Sequence, residues 1–250
     1  MPGFQKGYEI YYFQIDQNRA VNPVSILHFL EDIATSHSEA VGLGIDHLLA
    51  ERTGWVLNRW LLRMDSYPKL GEKIKIETWP SKFERFYANR EFSIIDSEGN
   101  RLGHASSLWI YLNVDKKRTT RIPAHFEQAY GLDEGKGVME DPFKDLPEMT
   151  DAQFEMNFHV RRSDIDTNGH VNNTRYVDWM IEGIPEDMAQ DYQLSELEVV
   201  YKKETMYGTD IFTESEKLDV EHPEYLHRIQ DETKEHELAL GRTAWRRRKI

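Results

Sequence analysis

The chain repeats itself, and the repeat limits what it can fold into. Ile15-Asp16, Asn18 and Val21-Asn22 recur as Ile165-Asp166, Asn168 and Val171-Asn172, 150 residues further on. Five matches in eight positions is a weak signal alone, and the segments that follow strengthen it. Pro23 suits the first position of a helix capped by Asn22. Ile26, Leu27, Leu30, Ile33 and Ala34 then recur at three- and four-residue steps. After a cap at Asn172 or Asn173, Tyr176, Val177, Met180, Ile181 and Ile184 do the same, with Gly183 and Pro185 closing the helix. Gly71 and Gly208 stand 137 residues apart, and Trp109 and Trp245 stand 136 apart. The offset thus falls by 13 early, where the first copy has an extra short helix at Gly44–Ala50, and then holds. A duplicated unit of one helix and several antiparallel strands accounts for the pattern.

Strand signals fill both copies. Residues 8–12 are rich in β-formers, Trp55–Met64 has the look of a buried strand, and Lys73–Trp79 alternates strictly. Arg90–Asp96 and Ala105–Asn113 flank a turn at 97–100, and Leu197–Tyr201 begins the second set, which runs on from Gly208 to Trp245. The expectation is an α+β chain of two tandem units, each a long helix wrapped by a curled antiparallel sheet. The first unit is placed at 1–123 and the second at 151–250, with the polar stretch 124–150 as a linker.

Composition removes several classes of function. With no cysteine there is no disulfide, no thiolate metal site and no cysteine nucleophile. The net charge of −13 opposes general nucleic-acid binding, since a phosphate backbone would be repelled. Arg246-Arg247-Arg248-Lys249 is a local basic exception, either a solvated end or a docking patch for an acidic partner. No eighteen apolar residues follow one another and the first residues lack an apolar signal run, so a cytoplasmic protein without membrane insertion is expected. No cofactor and no metal is implied.

The copies differ at the imidazole. Asp166, Asn168 and His170 precede the second helix, whose N-terminal N–H groups and dipole favour negative charge. Where this copy has His170, the other has Ala20. A unit that was copied and kept its imidazole once is what a single active site would leave. Asp166 and Asn168 are also ordinary loop-formers, and their echo at Asp16 and Asn18 supports a structural share.

Asp166-Thr167-Asn168-Gly169-His170-Val171-Asn172-Asn173, followed by Tyr201-Lys202-Lys203-Glu204-Thr205, resembles the catalytic half of the acyl-[acyl-carrier-protein] thioesterases. Trp79, Asn89-Arg90-Glu91-Phe92 and Ala105–Trp109 through Arg121-Ile122-Pro123 resemble the first half, so the likeness covers nearly the whole chain. It implies a tandem hot-dog fold, hydrolysis of acyl-carrier-protein (acyl-ACP) thioesters to free fatty acid at the end of fatty-acid synthesis, and ACP as partner. Without a plastid-type leader the bacterial branch fits better, and a homodimer is an allowed assembly. Carried over position by position, the resemblance marks Asp166, Asn168, His170 and Glu204 as catalytic and gives the first unit to acyl-chain binding. One departure matters: plant members often have a cysteine after the glutamate, and this chain has Thr205. Glu204 as base for a water and Asp166 as direct nucleophile both remain open at this point. So do three other readings: an acyl-CoA thioesterase, a hot-dog dehydratase and a non-catalytic acyl-binding module.

Overall fold

The computed structural model describes residues 3–140, 142–166, 169–218 and 221–248. The chain divides into two compact units, Met1–Pro142 and Phe143–Ile250.

The first unit contains strands β1 (Phe4–Glu9), β2 (Thr53–Met64), β3 (Lys73–Glu84), β4 (Tyr87–Asp96), β5 (Arg101–Asn113) and the two-residue β6 (Arg118–Thr119). Its helices are α1 (Pro23–Ala40), α2 (Ile45–Ala50) and α3 (His125–Tyr130). The strand order is β1-β3-β4-β5-β2, every described pairing antiparallel, with β6 on β5. Helix α1 begins as the sequence predicts, with the Asn22 side chain accepting the Ser25 N–H and Pro23 at the first helical position. Its stripe of Ile26, Leu27, Leu30 and Ile33 is wholly buried. Burial of four such side chains contributes about 6–12 kcal/mol, an upper bound because the unfolded chain is itself partly collapsed.

The second unit repeats this plan. Strands β7 (Phe154–His159), β8 (Tyr192–Tyr201), β9 (Asp210–Lys217), β10 (Glu224–Asp231) and β11 (Glu237–Arg247) stand in the order β8-β11-β10-β9-β7. That is the order of the first unit, strand for strand. Helix α4 (Asn173–Glu182) is capped by Asn172 and buries Tyr176, Val177 and Met180, and α5 (Glu186–Asp191) follows it. A Cβ on Gly241 of β11 would come within 2.6 Å of the Met180 sulfur, so the glycine sets how closely α4 lies on its sheet.

Three expectations change. Residues 8–12 do not form one strand: β1 ends at Glu9, and Tyr12–Gln14 make a 3-10 turn in which Gln14 Oε1 accepts the Tyr11 N–H. The β-forming tyrosines there face water, Tyr12 being 81% exposed. Within the stretch 124–150, α3 buries Phe126 and Tyr130 in a cluster with Tyr111, Ile122 and Ala88 of the first unit. The offset of 13 does not come from a helix present in one copy only, since α5 matches α2 in length. Eight of those residues lie in α1 itself, which has 18 residues against 10 in α4.

Candidate active site

The loop into α4 is built twice from the same bonds. In the second unit Ile165 bridges to Val171, the Asp166 N–H donates to the His170 carbonyl (2.8 Å), and Asp166 Oδ1 accepts the His170 N–H (3.1 Å). In the first, Ile15 bridges to Val21, the Asp16 N–H donates to the Ala20 carbonyl (2.8 Å), and Asp16 Oδ1 accepts the Ala20 N–H (3.3 Å). The anchors outside the loop also correspond. Val171 donates to the Thr205 carbonyl and Val21 to that of Pro68, while Gly208 donates to Val160 and Gly71 to Ile10. Residue 204 therefore corresponds to residue 67, which is Tyr67. The first unit has the loop and its aspartate but neither the imidazole nor the glutamate. An aspartate that closes the same loop beside an alanine is doing structural work in both copies.

The left-handed corner of the loop is Gly169, at φ 84°. Below it lies a residue that the family pattern does not mark. Asp164 is 1% exposed; its Oδ2 accepts the Arg161 N–H (2.8 Å) and Nε–H (3.1 Å), and its Oδ1 accepts Nη2 (3.0 Å). Arg175 Nε of α4 approaches Oδ1 to 3.5 Å, and the Asp164 carbonyl accepts the Asn172 N–H (2.8 Å). Burial pushes the Asp164 carboxyl upward, but the bonds from Arg161 and the charges of Arg161 and Arg175 outweigh it and hold it below the usual range. The repeat pairs Asp164 with Gln14, whose amide oxygen accepts the Tyr11 N–H at the same 2.8 Å. That correspondence was the available signal for it.

Of the residues named from the sequence, the structure brings His170 and Glu204 together, with Nε2 3.3 Å from Oε2. Asp166 holds the His170 backbone, accepting its N–H. Asn168 lies outside the described residues. The His170 side chain is 37% exposed and that of Glu204 61%, so substrate and water can reach both. Glu204 is held by its neighbours in chain and space: Thr205 is buried, its carbonyl receives Val171, and its backbone lies against the buried Tyr176 hydroxyl. Burial, with the charge of Glu204 adding, raises that phenol well above its usual range. The Tyr201 hydroxyl donates to the Asn173 carbonyl at the start of α4. Asn172 takes the N–H groups of Thr174 and Arg175, whereas that of Asn173 has no acceptor among the described residues. Among these residues no group of three His, Asp or Glu side chains could hold a metal ion.

Two helix-on-curled-sheet units, the second carrying the His170–Glu204 pair, define a double hot-dog protein. Residues 2–130 match the family profile described as the acyl-ACP thioesterase N-terminal domain, and residues 147–247 match that of its C-terminal domain. The chain belongs to the acyl-ACP thioesterase family, a class of thioester hydrolases. It is 24% identical to the oleoyl-acyl carrier protein thioesterase 2 of Arabidopsis thaliana, over 94% of this chain and 74% of that one. It is 27% identical to the palmitoyl-acyl carrier protein thioesterase of the same plant, over 97% of this chain and 63% of that one. The chain thus spans only part of these curated relatives. Its fold is similar to an acyl-ACP thioesterase from Bacteroides thetaiotaomicron (TM-score 0.88, 24% identity, 97% of each chain). A 12:0-ACP thioesterase from Umbellularia californica is also similar (TM-score 0.87, 22% identity, 98% of this chain and 97% of that one).

Proposed function

We propose that this chain hydrolyses acyl-ACP thioesters to free fatty acid and ACP, with Glu204 as general base and His170 as the group that orients it. The observation that carries this reading is the His170–Glu204 contact in a loop whose twin has Ala20 and Tyr67 instead. Glu204 removes a proton from a water as its oxygen attacks the thioester carbonyl carbon. The resulting oxyanion is met by the N–H of Asn173 at the positive end of α4, with the Asn168 amide as a second donor. Collapse expels the thiolate, a good leaving group, which takes the proton held on Glu204 and departs as the thiol of the carrier's arm. Asp166 acts as a positioning residue, because Asp16 makes the same bond where no chemistry is available. The absence of cysteine excludes a thiol nucleophile. The first unit, lacking both ionisable groups, is assigned to the acyl chain.

ACP is the partner in this reading, and local cations must receive it. Lys202 is paired with Glu237 (2.5 Å), and Arg242 with Glu224 (2.7 Å) and Glu196 (3.2 Å), which neutralises two of the basic groups in this unit. Lys203 has no acidic partner among the described residues, and Arg162 lies 4.5 Å from the centre of the Tyr207 ring. Lys203, next to Glu204 in the chain, and Arg162 are the docking cations we assign. No helix of the described chain is long and apolar enough to cross a membrane.

The test is thiol release from acyl-ACP and acyl-CoA substrates over a range of chain lengths. Turnover of the carrier thioester well above the CoA thioester supports the reading. Preference for CoA points to an acyl-CoA thioesterase, action on 3-hydroxyacyl substrates without thiol release to a dehydratase, and no turnover to a binding module.

A further inference from the structure

The first unit buries a cation with no counterion. Arg90 of β4 is 9% exposed, and burial lowers its pKa only to about 10, so it stays charged at neutral pH. Its Nη1 lies 3.0 Å from His37 Nδ1 and 3.3 Å from Thr78 Oγ1, and its guanidinium carbon lies 5.4 Å from the centre of the Tyr130 ring. All three are neutral, and no carboxylate pairs with Arg90 among the described residues. Glu91, next in the chain, points to the other face, where it accepts from Ser81, Ser106 and the Val138 N–H.

The donors of this cluster are unused. Arginine cannot accept, so His37 Nδ1 does, and the proton sits on Nε2. Neither His37 Nε2–H nor the Nε and Nη2 groups of Arg90 meets an acceptor among the described residues. Burial, then the charge of Arg90, pushes His37 down to about 3, so the ring stays neutral. Phe4 stacks on that ring at 5.0 Å and Tyr130 meets it edge-on at 5.3 Å, giving the donors apolar walls.

The fold does not need an arginine here. Arg90 faces Ser107, whose hydroxyl accepts the Trp109 indole N–H; in the second unit Tyr225 faces Thr243, which accepts that of Trp245. At the matching point the second unit thus has a buried aromatic ring. A desolvated guanidinium costs several kcal/mol unless an anion meets it, and the other copy shows that a neutral residue serves the packing.

We propose that Arg90 and His37 form a binding site for the carboxylate of an aliphatic acid. The guanidinium fork gives it two parallel N–H bonds, His37 Nε2–H a third, and Phe4 and Tyr130 flank its first carbons. The acid has two chemical sources, a free fatty acid or an acyl chain bearing a carboxylate at its far end. The site does not depend on the His170–Glu204 chemistry.

Calorimetric titration with octanoate, methyl octanoate and 1-octanol tests it on the unaltered protein, whatever becomes of any variant. Octanoate is expected to bind about ten- to a hundredfold more tightly than its ester, the span of a charge-assisted bond pair. Arg90→Met, checked for folding by its thermal melt, is expected to abolish the difference. Equal affinity for acid and ester in the unaltered protein, or a preference that survives Arg90→Met, overturns the proposal. A lower KM for an ω-carboxyacyl-ACP than for the methyl-ended acyl-ACP of equal length, lost in Arg90→Met, identifies the acyl chain as source. Octanoate binding without that KM difference identifies the free acid. If no acyl-ACP is turned over, the function proposed above fails while the titration still reads this site.

Discussion

Replacing Asp164 by alanine should uncouple the loop before α4 from its support. The carboxylate takes a backbone N–H at 2.8 Å, two bonds from the Arg161 side chain and the approach of Arg175 at 3.5 Å. The backbone bond is a capping bond of about 1 kcal/mol. The Arg161 side chain is 64% exposed, so water screens its bonds and they add little. Arg175 is 28% exposed and keeps more of its value, about 1 kcal/mol. The sum is about 2 kcal/mol, or a fall in Tm of ~4–8 °C for a chain this long. Thermal unfolding followed by circular dichroism at pH 7 measures it. Because the folded carboxyl is held below its ordinary value, its contribution is complete above about pH 4 and disappears as pH falls through the folded pKa. The deficit of the variant should therefore close in acid. A variant that melts within a degree of the unaltered protein at pH 7, or a deficit unchanged at pH 3, would refute the assignment.

His227 sits between Ser215 Oγ (2.9 Å) and Thr243 Oγ1 (2.8 Å), and burial pushes it down to about 3. Its unfolded form takes up a proton first as pH drops below about 6.5, so stability should fall by roughly 1.4 kcal/mol per pH unit from there; melts of His227→Gln between pH 7.5 and 5 should show a shallower slope, and parallel slopes would count against it. Lys203→Glu should raise KM for acyl-ACP several-fold and weaken its salt dependence with kcat nearly unchanged, whereas Arg242→Ala, already neutralised by Glu196 and Glu224, should leave KM within about twofold. Gly169→Ala places a side chain at φ 84° and should cost about 1 kcal/mol in a denaturant titration; no loss would mean the loop relaxes freely.

The loop and its aspartate were legible because they are local and occur twice. The spacing of Asp166, His170 and Asn172 determines a bridge, a turn and a helix cap, all within eight residues. Glu204 was not legible in that way. It reaches His170 only through the β8–β9 turn, 34 positions along the chain, and beside Lys202 and Lys203 it has the pattern of a surface charge. The resemblance supplied it. Helix α3 was missed because its only buried side chains, Phe126 and Tyr130, lie in a polar stretch and give one helical step. The end of β1 was misjudged because tyrosine favours strands by packing against neighbouring strands, whereas Tyr12 is 81% exposed and Tyr11 stacks on Phe13 of its own turn. Arg90 and His37 meet only when α1 lies across β4, a contact that no local pattern encodes.

The most direct test of the catalytic assignment is kcat of Glu204→Gln in the thiol-release assay with the acyl-ACP that the unaltered protein hydrolyses fastest. The amide keeps the size of the side chain and its reach to His170 but cannot take a proton from water. If Glu204 is the base, kcat falls by about 10²–10⁴ while KM changes little. A kcat within about threefold of the unaltered protein would contradict that assignment and move the chemistry to Asp166.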